Sequence, residues 1–446
     1  MTTTTRARVR AAALAALTAA GAIGAAVALA PPAAAATPGS TYHGGGLELI
    51  ALDLPAGATT GYALDVNDDG VVIGQAWDNA FNQRGVVWRD GVPTTIPGAM
   101  PWQVNDSGQV VGALYSDTGQ SRGFVWENGT LTTLEPTDPG PDRYSYAGSI
   151  SADGTVVGLS GTNTPLADYG PAEGATKQAP AGEAGSEAGS EEAGDVFTDY
   201  QPQIRATVWR NGTAVDLGTL GGSWSSADLI NDHGQVAGSS ATADGSEHAF
   251  LSGPGGLRDL GTLGGPSSTP LDINNRGQVV GVSETADRHS HAFLWENGRM
   301  RDLGTAAGLT ESSAVAINER GQVLVESHEQ ISYPFEGEPT NTVGIFPAHT
   351  ASTAYVWTAG QRQAVTGLGG DIFSPVNLAD DGTVIGSAMT PDGVDRPWLW
   401  SGGVPHDLSG PAPLQPGQAS GINRSGLVVG HAGSFTSQVP VIWRRT

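Results

Sequence analysis

The chain of 446 residues contains no cysteine. Disulfides, thiolate catalysis, thiolate metal ligation and lipid attachment through sulfur are thereby excluded. Lysine is almost as scarce: Lys177 stands alone, and 21 Lys and Arg face 45 Asp and Glu, for a formal net charge of −24. Such a surface cannot neutralise phosphates, which argues against a nucleic-acid binder and against attraction to anionic lipid. Charged residues are few altogether, at 15%, and the acid excess reads chiefly as a solubility feature.

Long hydrophobic runs are missing too, apart from one at the start. Arg6, Arg8 and Arg10 precede an apolar stretch over residues 11–30, followed by "PPAAAATPG". A basic start, a short apolar run and small residues at the exit predict a secretory signal peptide over 1–36 and a secreted, extracellular protein. Without an adjacent Arg pair the general secretory route is favoured. No later segment is apolar enough to span a bilayer, so no membrane insertion is expected once the signal is removed.

What is abundant is glycine, at 65 residues, and it recurs in register. A short apolar residue, usually an Asn, two more residues and a Gly precede a Val-rich stretch eight times. The instances include "VNDDGVVIG" at Val66, "INDHGQVAG" at Ile230 and "INNRGQVVG" at Ile273, with the shared glycines Gly70, Gly108, Gly154, Gly234, Gly277, Gly321, Gly382 and Gly426. A second anchor follows each: Trp88, Trp126, Trp209, Leu251, Trp295, Trp357, Trp400 and Trp443. The interval is 17 or 18 residues in six copies and longer in the third and sixth, which carry insertions. Repeats of roughly 20–50 residues signal a solenoid, propeller or array.

One unit reads as four strands. In the fifth copy these are "LDIN", "QVVGVS", "HAFLWE" and "RMRDL", joined by turns that favour a left-handed Gly or an Asn-Gly pair. Along "HAFLWE", His291, Phe293 and Trp295 point one way and Ala292 and Leu294 the other, so both faces of the sheet are apolar and must be covered. Radial stacking of like sheets does this. The chain ends on a third strand, "VPVIWRRT", while "GLELIALDL" after the leader supplies a spare fourth. Pairing the two closes a ring and removes its edges. The expectation is an all-β, eight-bladed propeller over 46–446 after a linker over 37–45. Seven blades is the alternative, should the third or sixth unit not form one.

The triplets His248-Ala249-Phe250 and His291-Ala292-Phe293, with "DLGTLGG" at 216–222 and 259–265, resemble the extracellular HAF repeat family. Weaker copies run from Gly46 to Thr446. The resemblance implies export but no established activity or catalytic residue. The His place is held elsewhere by Arg84, Arg122, Arg205, Thr353, Arg396 and Val439, so it cannot be a shared catalytic group or metal ligand.

The large insertions, at about 160–204 and 327–352, both fall between second and third strands, on one face of the ring, where a scaffold carries recognition loops. The first, rich in Gly, Ala and Glu, reads as disordered. The second carries Tyr333, Phe335 and Phe346 among acids and histidines. Trp102, Tyr144, Tyr146, Trp224 and Phe373 lie near fourth-to-first connections on the same face. These eight aromatics are the candidate ligand-binding residues, as stacking platforms. "DVNDDG" at 65–70 starts like a calcium loop, but Ala76 stands where the closing Glu belongs, so a turn is the better reading. Nucleophile-elbow, zinc-protease and phosphate-loop motifs are lacking, and no catalytic residue, metal or cofactor is assigned. The expectation is a monomeric, non-catalytic scaffold binding an extracellular glycan, peptide or cell-surface partner. Alternatives are an exported polysaccharide hydrolase or lyase, and a structural surface protein.

Overall fold

The computed structural model describes residues 41–44, 47–115, 121–140, 143–162, 203–253, 255–329, 353–410, 417–434 and 437–445. The expected signal peptide, most of both insertions, and Tyr333, Phe335 and Phe346 lie outside the described residues.

The repeat folds as eight four-stranded antiparallel meanders. In blade 1 the strands are Thr60–Val66, Val72–Trp77, Gln83–Arg89 and Val92–Pro97, each paired with the next. Blades 2 to 7 follow over 99–134, 143–216, 221–259, 264–302, 311–365 and 373–407. Both irregular units are complete blades. Val156–Thr162 pairs with Gln203–Arg210, and Val323–His328 with Thr353–Thr358, in unbroken register. The insertions therefore leave from a hairpin without disturbing the sheet. The first strand of every blade touches the first strand of the next all the way round, blade 8 against blade 1 included. The β-propeller is thus closed and has eight blades.

Blade 8 is built from both ends of the chain. Gly417–Ile422, Val428–Ala432 and Val439–Arg445 supply three strands, and Leu47–Ala51 pairs with the last, Leu49 opposite Trp443 and Ala51 opposite Val441. One expectation needs correction: part of the presumed linker is a strand. Thr41–Gly44 pairs outside Leu47–Ala51, where it covers the backbone edge that an outermost strand leaves open.

The core lies between blades. Phe293 and Trp295 pack on Leu229, Ala237 and Ala249 of blade 4, while Ala292 and Leu294 pack on Ala314 and Val325 of blade 6. The two-faced alternation in the sequence has this physical meaning. The repeated Trp side chains are buried, each worth about 2–3 kcal/mol by area. Several also reach back to the preceding blade: Nε1 of Trp88, Trp209 and Trp443 donates to the carbonyls of Asp53, Glu135 and Leu408, each at 2.7 Å.

An Asn opens the first turn in six of the eight blades, with Ser151 and Ala379 in its place in the other two, and it has a second task. Its Oδ1 closes its own turn, as Asn67 does for the Val71 N–H at 2.8 Å. Its Nδ2 crosses to the next blade: Asn67 to the Asn105 carbonyl, Asn105 to Ser151, Asn231 to Asn274, Asn274 to Asn318, Asn318 to Ala379, and Asn423 to Asn67, at 2.9–3.1 Å. The bond from Asn423 to Asn67 crosses the seam between blade 8 and blade 1. The glycines that close these turns all have φ between 70° and 89°, the left-handed region that other residues enter at a cost. Another glycine answers to close approach. A Cβ on Gly238, in the second strand, would sit 1.9 Å from the Ser226 carbonyl, because the first strand bulges there.

Candidate functional site

The meander divides the loops between two faces. First and third turns emerge on one, and the insertion-bearing connections on the other.

On the first face an acid at the second place of the first turn points its side chain back along the ring in five blades, at Asp68, Asp106, Asp232, Glu319 and Asp380. Asp106 accepts the Asp68 N–H at 3.2 Å, Asp232 that of Ala152 at 3.1 Å, Glu319 that of Asn275 at 3.1 Å and Asp380 that of Glu319 at 2.9 Å. Arg424 is the cation of this circle, 3.0 Å from Asp68. Burial, aided by the neighbouring carboxylates, pushes the Asp106 and Glu319 acids up. This acidic ring was readable in the repeat as the Asp or Glu after Asn, but turn chemistry alone explains such residues and masked it.

The insertion-bearing face holds the described candidate aromatics, and two require correction. Trp102, 5% exposed, lies within a first strand, Ala99–Val104, and not in a connection. Phe373, 8% exposed, opens the strand Phe373–Leu378 and packs against Trp398 at 5.6 Å between centroids. Neither offers a face for stacking a ligand. The first strands run further toward this mouth than the turn signals suggested, which draws their side chains between blades. Tyr144 and Tyr146 are half-buried on Arg143–Ile150, and Trp224 is half-buried on Gly221–Ile230. Tyr146 lies 5.7 Å from Trp102, the one pair of candidates brought into ring contact among the described residues. A cluster missed from sequence lies beside blade 8: Tyr62 meets Trp77 at 5.4 Å and His431 at 6.4 Å. Burial holds His431 neutral, its pKa lowered to about 4.

The His of the HAF triplet is an architectural group. His248 Nδ1 meets Asp259 at 2.9 Å, and His291 Nδ1 meets Asp302 at 2.9 Å. Two of the Arg residues in the His place make the same bridge, Arg396 to Asp407 at 2.8 Å and Arg205 to Asp216 at 3.8 Å, whereas Arg84 pairs with Asp78 at 3.4 Å. Each Asp also caps the next turn, as Asp259 does for Gly261 N–H at 2.7 Å. The triplet and the "DLG" tail are two halves of one staple from third strand to fourth. In these four blades a His or an Arg serves as the donor.

One histidine departs from this scheme. His289 lies in the loop before the third strand of blade 5. Its Nδ1 meets Glu311 Oε1 of blade 6 at 2.8 Å, and the other carboxylate oxygen accepts the Ser290 N–H at 2.6 Å. Glu311 is 5% exposed, and the hydrogen bond to it raises the His289 pKa. Ring nitrogen Nε2 is left outside the pair. Since folding raises this pKa, the stabilisation is complete below about pH 6.5, the unfolded value, and is lost as pH rises through the folded value. Melting temperature of the wild type should accordingly fall more steeply than that of Glu311→Gln on going from mildly acid to mildly alkaline buffer. Parallel curves would show that the pair contributes no charge-dependent stability.

No family model matches the chain, and no curated protein matches it. Among solved structures it is similar to the β-propeller domain of the trilobed protease from Pyrococcus furiosus, at 9% identity and a TM-score of 0.42, covering 87% of this chain and 95% of that one. It is also similar to a puromycin-hydrolysing peptidase of Mycobacterium tuberculosis, at 12% identity and a TM-score of 0.45, covering 85% of this chain and 62% of that one. A third is dipeptidyl peptidase 4 of Porphyromonas gingivalis, at 12% identity and a TM-score of 0.48, covering 82% and 56%. The chain thus spans less than two thirds of the length of the latter two. Against the expectation of a non-catalytic scaffold, these three structures are two peptidases and the propeller domain of a protease, and that expectation is set aside. At these identities the likeness is one of fold: the chain is an all-β propeller.

Proposed function

We propose that this propeller engages polypeptide on its insertion-bearing face, as a peptidase-type propeller, with His289 and Glu311 as the proton-accepting pair of that site. The observation that carries the reading is the exception the pair makes to the repeat. Where His289 stands, blade 4 has Ser246. Where Glu311 stands, blades 5 and 4 have Ser267 and Trp224. The fold closes those seams without an imidazole or a carboxylate, so architecture does not require this pair.

A buried carboxylate on Nδ1 sets the tautomer, so that Nε2 is the basic nitrogen, and it stabilises the imidazolium once a proton is taken. At a bound peptide, Nε2 accepts a proton from water as the hydroxyl adds to the carbonyl carbon. The C–N bond then breaks, and the imidazolium returns its proton to the departing amine. Polypeptide is also the ligand suited to the half-buried Tyr144, Tyr146 and Trp224 around the mouth, since aromatic rings accept apolar side chains and their polar ends bind backbone groups. The repeat is read as that of the HAF family, and the chain as an exported one acting outside the cell.

The test is hydrolysis of a pool of internally quenched random-sequence peptides by the purified chain across pH. Turnover should rise with pH as His289 loses its proton, and Glu311→Gln should be slower by roughly 10²-fold. A wild-type chain that neither binds nor cuts the pool would overturn the reading.

A further inference from the structure

The tip of the blade 1 loop between second and third strands is built against the interest of its own fold. Phe81 is 85% exposed, and its φ is 61°. A bulky side chain in the left-handed region is strained, and an exposed ring gains nothing from burial. Sibling loops show what the turn prefers. At the same place blade 4 has Gly245 with φ 86°, blade 7 has Gly393 with φ 79°, and blade 5 has Arg288 with φ 69°. Glycine would relieve the strain and remove the exposed ring, so neither the turn nor the core explains a phenylalanine.

The loop that carries it is well held. Asp78 Oδ1 accepts the Ala80 and Asn82 N–H groups at 2.9 and 3.0 Å. Its Oδ2 accepts Asn82 Nδ2 at 2.9 Å and Arg84 Nη2 at 3.4 Å. The Phe81 N–H itself donates to the Asp78 carbonyl at 3.0 Å. These bonds hold the backbone of the tip, so the ring is carried outward on an ordered turn. They also consume the carboxylate, whose charge Arg84 offsets, so the apex presents an uncharged ring flanked by the amides of Asn79 and Asn82. The nearby Trp77 ring is already engaged by Tyr62, so no second ring completes a platform with it. The loop opens on the insertion-bearing face.

We infer that Phe81 is an apolar anchor that takes up a neutral apolar side chain of an extended polypeptide bound on this face. This rests on the polypeptide reading above and adds a specificity: uncharged apolar side chains over charged ones. The amides beside the ring supply donors and acceptors for the backbone of such a chain. The net charge of −24 makes an anionic bilayer an unsuitable home for the same ring.

Two fluorescein-labelled Gly-Ser-rich peptides would be titrated against the full chain. One carries leucine and phenylalanine at alternate positions, the other serine at those positions. The wild type should favour the apolar peptide, and Phe81→Gly should weaken that peptide alone by roughly 10- to 30-fold. Phe81→Asn, which also suits a left-handed residue, should behave like Phe81→Gly. Both variants should melt higher than wild type, Phe81→Gly by about 1–2 °C. A wild type that binds both peptides alike, with Phe81→Gly unchanged, overturns the anchor but leaves the polypeptide reading standing. Failure to bind either peptide overturns both. Variants that melt lower would show that the ring serves its own fold, and would also overturn the anchor.

Discussion

Replacing Trp443 with alanine should lower the stability of the propeller by about 3–5 kcal/mol, the range for emptying a buried aromatic site. Trp443 is 1% exposed and sits in the third strand of blade 8, opposite Leu49. It packs in one cluster with Leu49, Ala51, Leu399 and Leu408, so it touches the N-terminal strand, its own blade and blade 7 at once. Its Nε1 also donates to the Leu408 carbonyl. Removal leaves a cavity and an orphaned carbonyl at the one seam that no peptide bond spans within the sheet. Urea unfolding followed by circular dichroism measures the loss, with Trp295→Ala in blade 5 for comparison. Trp295 sits in a blade made of continuous chain, under the Arg258 guanidinium. Trp443→Ala should additionally expose the strand Leu47–Ala51 to proteolysis. A loss below about 1 kcal/mol would show that the closing strand does not depend on this contact.

Asn274→Leu should cost about 2–4 kcal/mol, because it strands buried polar groups in two blades. Asn274 is fully buried. Its Oδ1 accepts the N–H groups of Arg276 and Gln278, both at 3.1 Å, and its Nδ2 donates to Gln278 Oε1 at 2.8 Å and across to Asn318 at 3.1 Å. Leucine has nearly the right size but none of the donors or acceptors. The ring should nonetheless stay closed. Ala379 already occupies the equivalent place in blade 7, and Asn318 still reaches its carbonyl. The variant should therefore unfold at lower urea while keeping the native far-ultraviolet spectrum. Unchanged stability would mean that the ring of Asn side chains follows from the fold and does not help to hold it.

The readable and unreadable parts of this protein differ in a consistent way. Features stated many times were legible. The left-handed glycines, the Trp series and the split eighth blade all follow from local turn geometry and from strand alternation, which repeat without regard to what lies across the ring. Features that occur once were not legible. His289 and Glu311 are 22 positions apart in different repeats, and nothing in either repeat marks them as partners. The same holds for Tyr62 and His431, separated by nearly the whole chain yet in ring contact. Trp102 and Phe373 failed as stacking candidates for a related reason. Aromatic residues near a loop look alike in sequence whether they face solvent or a neighbouring blade, and only the packing of the next sheet decides.

Phe81 is an intermediate case. The turn could be aligned with its siblings by sequence, but a ring at the place of Gly245 and Gly393 acquires meaning only once its φ and exposure are known. The acidic ring behaves likewise. Each Asp or Glu beside a turn Asn is an ordinary turn residue in one copy, and a shared electrostatic circle forms when the copies are set around one axis.

By itself the sequence determined that this chain repeats one kind of hairpin-rich sheet and pointed to eight copies with the last completed from both ends of the chain, while the structure decided that the third and sixth units are blades. The repeat and the shared blade are consequences of short-range backbone preferences and of two apolar faces that must both be covered. Only the tertiary structure decided which side chains meet across the seams, and hence where an imidazole stands on a buried carboxylate and which aromatics remain in reach of a ligand. Contacts between blades depend on radius, stagger and loop direction, and no spacing along a chain encodes those quantities locally.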